Sequence, residues 1–184
     1  FTWTPGLRME NIEMGRTDWG SSDLNRIGST PSERTNPLIV WLPGLGLNFA
    51  VSEYAHIFSG VHRGFIPPGS NDETTAETSI NAELGFRFDG GLLSGQAVIF
   101  NNIYQNLLGA DLAATGGLGS GDLFNGGSAR TQGFEIEAAC NAFPADSKWA
   151  MPIRLSYTYT NAQFTSAFES DYGPWDVVVD GDYM

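Results

Sequence analysis

The stretch Ile80-Asn81-Ala82-Glu83-Leu84-Gly85-Phe86-Arg87-Phe88-Asp89 alternates without a break. Ile80, Ala82, Leu84, Phe86 and Phe88 fall on one face. Asn81, Glu83, Gly85, Arg87 and Asp89 fall on the other. Successive side chains of a strand point to opposite faces, so a period of two reads as a strand with one apolar and one polar side. Asp89-Gly90-Gly91 then supplies the positive φ that a tight hairpin turn asks for. The segment is therefore expected to pair antiparallel with Leu92 to Asn102. Helical periodicity is weak throughout, and Ala-rich pieces such as Asp111 to Thr115 run straight into Gly.

The same period recurs outward from this stretch. Ile153, Leu155, Tyr157 and Tyr159 oppose Arg154, Ser156, Thr158 and Thr160, and Phe134, Ile136 and Ala138 oppose Glu135 and Glu137. Ile39, Trp41, Leu45, Leu47, Phe49 and Val51 oppose Gly44, Gly46 and Asn48. Pro43 lies inside that run and lacks the N–H an interior strand needs, so a bulge or a local edge is expected there. The opening segment sets Phe1, Trp3, Leu7 and Met9 against Thr2, Thr4, Arg8 and Glu10. Ala55 to Ile66 and Leu92 to Asn106 are less regular strands. The total is about seven strands of ~10–15 residues, longer than the ~5–6 usual in soluble sheets. Long polar connections (Thr17 to Asn36, Pro67 to Glu77, Leu107 to Gly127, Thr165 onward) alternate with shorter ones (Ser52 to Tyr54, Asp89 to Gly91, Asn141 to Lys148).

Composition narrows the class. The chain has 184 residues, 41% hydrophobic and only 16% charged, with 23 Gly and a formal net charge of −12. Nine basic against 21 acidic residues exclude nucleic-acid binding through a general basic surface. No apolar run reaches the ~18 residues of a transmembrane helix. The single cysteine, Cys140, excludes an internal disulfide framework and a multi-cysteine zinc site. The chain opens Phe-Thr-Trp-Thr-Pro, without the charged and apolar regions of a signal peptide, and ends in a loop-like Asp-Gly-Asp-Tyr-Met. An internal fragment of a longer protein is the expectation. Two all-β architectures fit this pattern. One is an outer-membrane barrel with long loops at one end, short turns at the other and aromatic girdles from Trp3, Trp41, Phe65, Tyr104, Trp149 and Phe164. The other is a soluble or secreted binding module, such as a carbohydrate-binding sandwich.

Five ordered pieces favour the barrel. They are Leu42-Pro43-Gly44-Leu45-Gly46-Leu47-Asn48-Phe49 with His56 to Pro68; Asn81-Ala82-Glu83-Leu84-Gly85-Phe86-Arg87; Phe100-Asn101-Asn102-Ile103-Tyr104-Gln105-Asn106; Gly127 to Glu135; and Ser156-Tyr157-Thr158-Tyr159-Thr160-Asn161-Ala162. In this order and spacing the chain, from about Trp3 to Asp182, resembles the C-terminal half of the barrel of TonB-dependent outer-membrane receptors. It is nearest to the ferric dicitrate and iron-siderophore type. The resemblance implies a fragment of a transmembrane barrel of about 22 strands with a plugged lumen. It implies a Gram-negative outer-membrane location, contact with lipid, and uptake of a ferric chelate energised through TonB. Residues 1–184 are then one partial barrel, with the plug domain, TonB box and final strand absent from it.

His56 and His62 share a face but lie ~20 Å apart along a strand, too far to bind one metal. Cys140 has no positioned base beside it and reads as a packed or lipid-facing small residue. Gly116-Gly117-Leu118-Gly119-Ser120-Gly121-Asp122 lacks the Lys and the helix of a phosphate loop, and the tandem copies of a calcium repeat. Glu169, Asp171, Asp176, Asp180 and Asp182 read as a solvated acidic end. No enzyme, cofactor or metal is expected. Arginine offers a fork matched to carboxylates, which makes Arg63, Arg87, Arg130 and Arg154 candidates for contact with an anionic ligand. Alternation puts Arg87 and Arg154 on the polar face and leaves the side of Arg63 and Arg130 open.

Overall fold

The computed structural model describes the chain except residues 21, 22, 24, 29, 30, 71, 111–122, 144, 145 and 170–176. Its main body is one antiparallel sheet of seven strands in meander order. These are β1 (Thr2–Asp18), β2 (Ser32–Ala50), β3 (Ala55–Ile66), β4 (Glu77–Asp89), β5 (Leu93–Gln105), β8 (Ala129–Asn141) and β9 (Pro152–Phe164). Two small hairpins stand at the loop end: β6 (Leu107–Ala110) with β7 (Leu123–Gly126), and β10 (Phe168–Glu169) with β11 (Val177–Val178). The expected β4–β5 hairpin is present, from Asp89 opposite Ser94 to Thr78 opposite Gln105. Gly91 has φ +83° in its turn.

Registers carry one apolar face across the whole sheet. Leu47, Ser59, Leu84, Ile99, Phe134 and Tyr159 form one continuous row, and Phe49, Ile57, Phe86, Ala97, Ile136 and Tyr157 form the next. Among the described residues no second sheet covers them: Leu84 is 48% exposed and Leu155 63%. A sandwich would bury both in its core, so the soluble alternative falls. The described buried apolar side chains are few, and lie outside that face: Val40, Ala76, Ala129, Phe164 and Val178.

The apolar band also drifts against the hydrogen-bonded rows. Its centre lies near Pro5 on β1 and Gly44 on β2, but near Ser156 on β9, once all are carried through the registers. The drift is about five or six residues across the sheet. At ~3.3 Å per residue and ~4.8 Å per strand, a level band then requires strands tilted by roughly 30–35°, close to the ~35–45° of membrane barrels.

Prolines respect the ladder. Pro5, Pro37 and Pro43 lie opposite Leu45, Glu13 and Leu7. The amide of Val51 donates to Ala55 O, so odd positions of β2 turn their amides toward β3. Their pairs with β1 are the non-hydrogen-bonded ones, and none of these prolines removes a β1–β2 bond. The β1–β2 register runs through Pro43 without a bulge, whereas the β2–β3 ladder stops at Gly44 opposite His62. Pro43 thus marks a local edge.

Three connections differ from the sequence reading. The polar stretch from Thr17 to Asn36 is partly strand, since β1 runs to Asp18 and β2 starts at Ser32. Backbone pairing does not need an apolar face, so the hairpin continues beyond the apolar band. The stretch from Leu107 to Gly127 begins and ends as paired strands, and its Gly116–Asp122 run lies outside the described residues. The acidic end forms β10 and β11, with Asp171 and Asp176 outside the described residues. The chain then returns along β9 and sets Tyr183 opposite Gln163. Among the six girdle candidates, Trp3, Trp41 and Phe65 lie on the apolar face and Trp149 in the connection after β8. Tyr104 and Phe164 sit on the polar face, because their registers pair them with Ser79 and Ala129.

Glycines within strands make room for rings on the next strand. Phe58 lies opposite Gly85, where a Cβ would come within 2.2 Å of its ring, and Phe100 lies opposite Gly133. Such cross-strand pairs pin register. Gly85→Val should therefore destabilise the intact protein by about 1–3 kcal/mol through overpacking. The urea midpoint in detergent is the check, and an unchanged midpoint would show that Phe58 moves aside freely. A second expectation concerns the 184-residue chain alone. Its apolar face far exceeds what soluble monomers expose, and β1, together with β9 before Ala162, lacks a neighbouring strand along its outer edge among the described residues. It should aggregate in detergent-free buffer. A sharp monomer peak on size exclusion with cooperative thermal unfolding would contradict the barrel reading.

Candidate functional site

The polar face carries most of the strand charges. Arg8, Glu10, Arg16, Asp18, Arg34, Glu77, Glu83, Arg87, Asp89, Glu135, Glu137 and Arg154 all fall on it by register. Acids outnumber bases there. His56 and His62 share this face as well, and Asn48 Nδ2 lies 3.5 Å from His56 Nδ1. Among the described residues no three His, Cys, Asp or Glu side chains gather closely enough to hold a metal ion. Cys140 lies on the opposite, apolar face, between Leu93 and Ile153.

One connected polar chain crosses three strands. Arg87 donates from Nε and Nη2 to Gln96 Oε1 at 3.1 and 2.9 Å. Gln96 Nε2 donates in turn to Glu137 Oε2 at 3.0 Å. The amide bridges a cation and a carboxylate that stand two strands apart. The Arg87 guanidinium also lies 5.2 Å from the centre of the Phe58 ring, the ring held over Gly85. Arg154 stands on the neighbouring row with Ala139, Ser94 and Asp89. Together Arg87, Gln96, Glu137, Arg154, Ser94 and Ser156 line an open depression of about 500 Å³ toward the short-turn end.

The long-loop end folds over the same face. Asn36, on the polar side of β2, donates to Thr74 O at 3.2 Å, which brings the β3–β4 connection inward. Pro68, Thr74 and Glu77 are buried there. Asn125 accepts from the Thr75 amide at 2.8 Å and donates to Thr75 O and Asn106 O, tying that connection to the β6–β7 hairpin. Glu77 Oε2 accepts the Leu108 amide at 2.9 Å. Ala129, Phe164 and Val178 form a small apolar cluster on the same side. Neither Gln96 nor Asn125 stood out in the sequence. An isolated Gln or Asn has no signature until register shows which charges and amides it joins.

The four arginines are not brought together. Arg87 and Arg154 share the polar face. Arg63 lies opposite Ile80 and Arg130 opposite Ile103, which puts both on the apolar face near the long-loop end.

An open, tilted meander with an uncovered apolar face, a charged inner face and loops folded toward it defines a piece of a large membrane β-barrel. Residues 1–183 match the family model described as TonB dependent receptor-like, beta-barrel, and the chain belongs to that family. Solved structures agree in fold. The FrpB iron transporter from Neisseria meningitidis (F5-1 variant) matches with a TM-score of 0.66 and 16% identity over 88% of this chain and 24% of that one. The siderophore receptor PirA from Pseudomonas aeruginosa matches at 0.53 and 18%, over 89% of this chain and 37% of that one. The chain thus spans about a quarter of the length of FrpB. No curated protein matches it.

Arg87 and Glu137 are exposed, so water screens their link. Gln96→Leu should cost the intact protein less than about 1 kcal/mol, read as a shift in urea midpoint. A larger loss would show that the bridge is desolvated in the complete protein.

Proposed function

We propose that this chain is a wall segment of a Gram-negative outer-membrane receptor that binds a ferric chelate, an iron–siderophore or ferric citrate, and imports it with energy delivered through TonB. The family match over residues 1–183 carries the reading. That FrpB is an iron transporter and PirA a siderophore receptor supports the iron chelate as cargo. A plug domain and a TonB box belong to the rest of the protein in this reading. Ligand and plug then meet the polar face, and lipid meets the apolar one.

Of the arginine candidates, Arg87 and Arg154 stand where a solute in the lumen reaches them. Arg87 already shares its charge with Glu137 through Gln96, whereas Arg154 forms no ion pair among the described residues. A charge-assisted hydrogen bond is worth roughly 1.5–3 kcal/mol, or about 10- to 150-fold in affinity. In the full-length protein, Arg154→Ala should weaken binding of an anionic ferric chelate within that range, and Arg87→Ala by less. Titration of tryptophan fluorescence with the chelate measures both, and unchanged affinity in both would assign these arginines to the wall alone. For the transport reading, uptake of radiolabelled ferric chelate should stop when the gene or TonB is deleted. Uptake that survives loss of TonB would overturn it.

A further inference from the structure

The chain leaves the top of β5 through a left-handed turn. Asn106 has φ +54°, a conformation that Asn tolerates better than most residues. The β6–β7 hairpin that follows is tied to the β3–β4 connection at two points, and at both a side chain holds backbone groups. The Asn125 amide does at Thr75 what a neighbouring strand would do. Its Oδ1 accepts the Thr75 N–H at 2.8 Å, and its Nδ2 donates to Thr75 O at 2.9 Å and to Asn106 O at 3.1 Å. Glu77, which is buried, accepts the Leu108 N–H at 2.9 Å. Asn125 thus reaches from the hairpin to the connection, and Glu77 reaches back to the hairpin.

The two ties engage the same places. Leu108 lies directly opposite Asn125 across the hairpin, and Thr75 is two residues from Glu77. Separating one pair therefore pulls on the other. Both segments are also fixed internally. The Leu107 N–H donates to Gly127 O at 3.1 Å and closes the base of the hairpin. Thr74 Oγ1 donates to Pro68 O at 2.9 Å, and Pro68, Thr74 and Ala76 are buried. On the far side of the hairpin, the Ser128 N–H donates to Ser166 Oγ and the Thr165 N–H to Ser128 O, each at 2.7 Å. Among the described residues β6 and β7 pair only with each other, so side chains, not a ladder, join the hairpin to the β3–β4 connection.

We infer that the β3–β4 connection and the β6–β7 hairpin form one cap at the long-loop end and move as one body, with Asn125 and Glu77 as its clasp. A solute that displaces either segment then displaces both, and access to the polar face on this side of the mouth is set by a single element. The clasp is built from contacts within the chain and does not depend on which ligand enters the lumen.

Hydrogen exchange of the full-length protein in detergent, resolved to single amides by electron-transfer fragmentation, tests the clasp. The Thr75 and Leu108 amides are the probes, because each has a different side-chain acceptor. A one-body cap opens in one step. Asn125→Ala should then speed exchange of Leu108 as well as Thr75, and Glu77→Ala should speed Thr75 as well as Leu108, each about tenfold or more. Glu77→Gln, which keeps an acceptor for the Leu108 N–H, should retain most of the protection at both. The Leu84 and Ile99 amides in the β4–β5 ladder should keep their wild-type rates in every variant. Acceleration confined to Thr75 in Asn125→Ala and to Leu108 in Glu77→Ala would overturn the proposal, since the two segments would then open independently. Equal acceleration at Leu84 and Ile99 would also overturn it, by assigning the effect to the wall.

Discussion

The interaction on which the rest depends is the backbone hydrogen-bond ladder between neighbouring strands. In hydrocarbon an unpaired N–H or C=O finds no water, so a sheet that crosses a membrane must pair every group and close on itself. The consequences are visible residue by residue. Pro5, Pro37 and Pro43 all occupy positions whose amides turn away from the β1–β2 ladder. Pro152 opens β9, where a missing donor costs least. The ladder also runs past the apolar band, which is why β1 and β2 continue through Arg16 and Arg34.

That ladder fixes chemistry through parity. A residue's face is decided by its register, and a shift of one position would move every side chain to the other side. On the polar face, Gly85 under Phe58 and Gly133 under Phe100 add ring-over-glycine pairs that hold the register. With register set, Arg87 and Arg154 belong to the lumen while Arg63 and Arg130 belong to the outer surface. Four residues of one type, all in strands, thereby meet two different environments. The inner pair sits among carboxylates and amides, and the outer pair on a face with no acid near it.

Much of this was legible in the chain itself. The period of two in Ile80–Asp89 and Ile153–Thr160, the Gly-Gly turn and the alternation of long and short connections determined the strands, the meander and the apolar face. They are local properties, carried by side chains two residues apart, and need no partner to be read. The ordered motifs from Leu42 to Ala162 pointed to the family. The polar face of Arg87 and Arg154 also followed from alternation alone.

Tertiary structure decided what depends on a neighbour strand. Arg63 lies in a segment where His62, Gly64 and Ser59 blur the period, so only its pairing with Ile80 reveals its side. Tyr104 and Phe164 look like girdle aromatics until Ser79 and Ala129 are found opposite them. Phe58 and Phe100 break the polar alternation because each ring covers a glycine on the next strand, a compensation invisible along one strand. The choice between a sandwich and a barrel was of the same kind. Both present the same alternating strands, and only the exposure of Leu84 and Leu155 among the described residues, with the apolar band drifting across the rows, separates a face buried in a core from one that meets lipid.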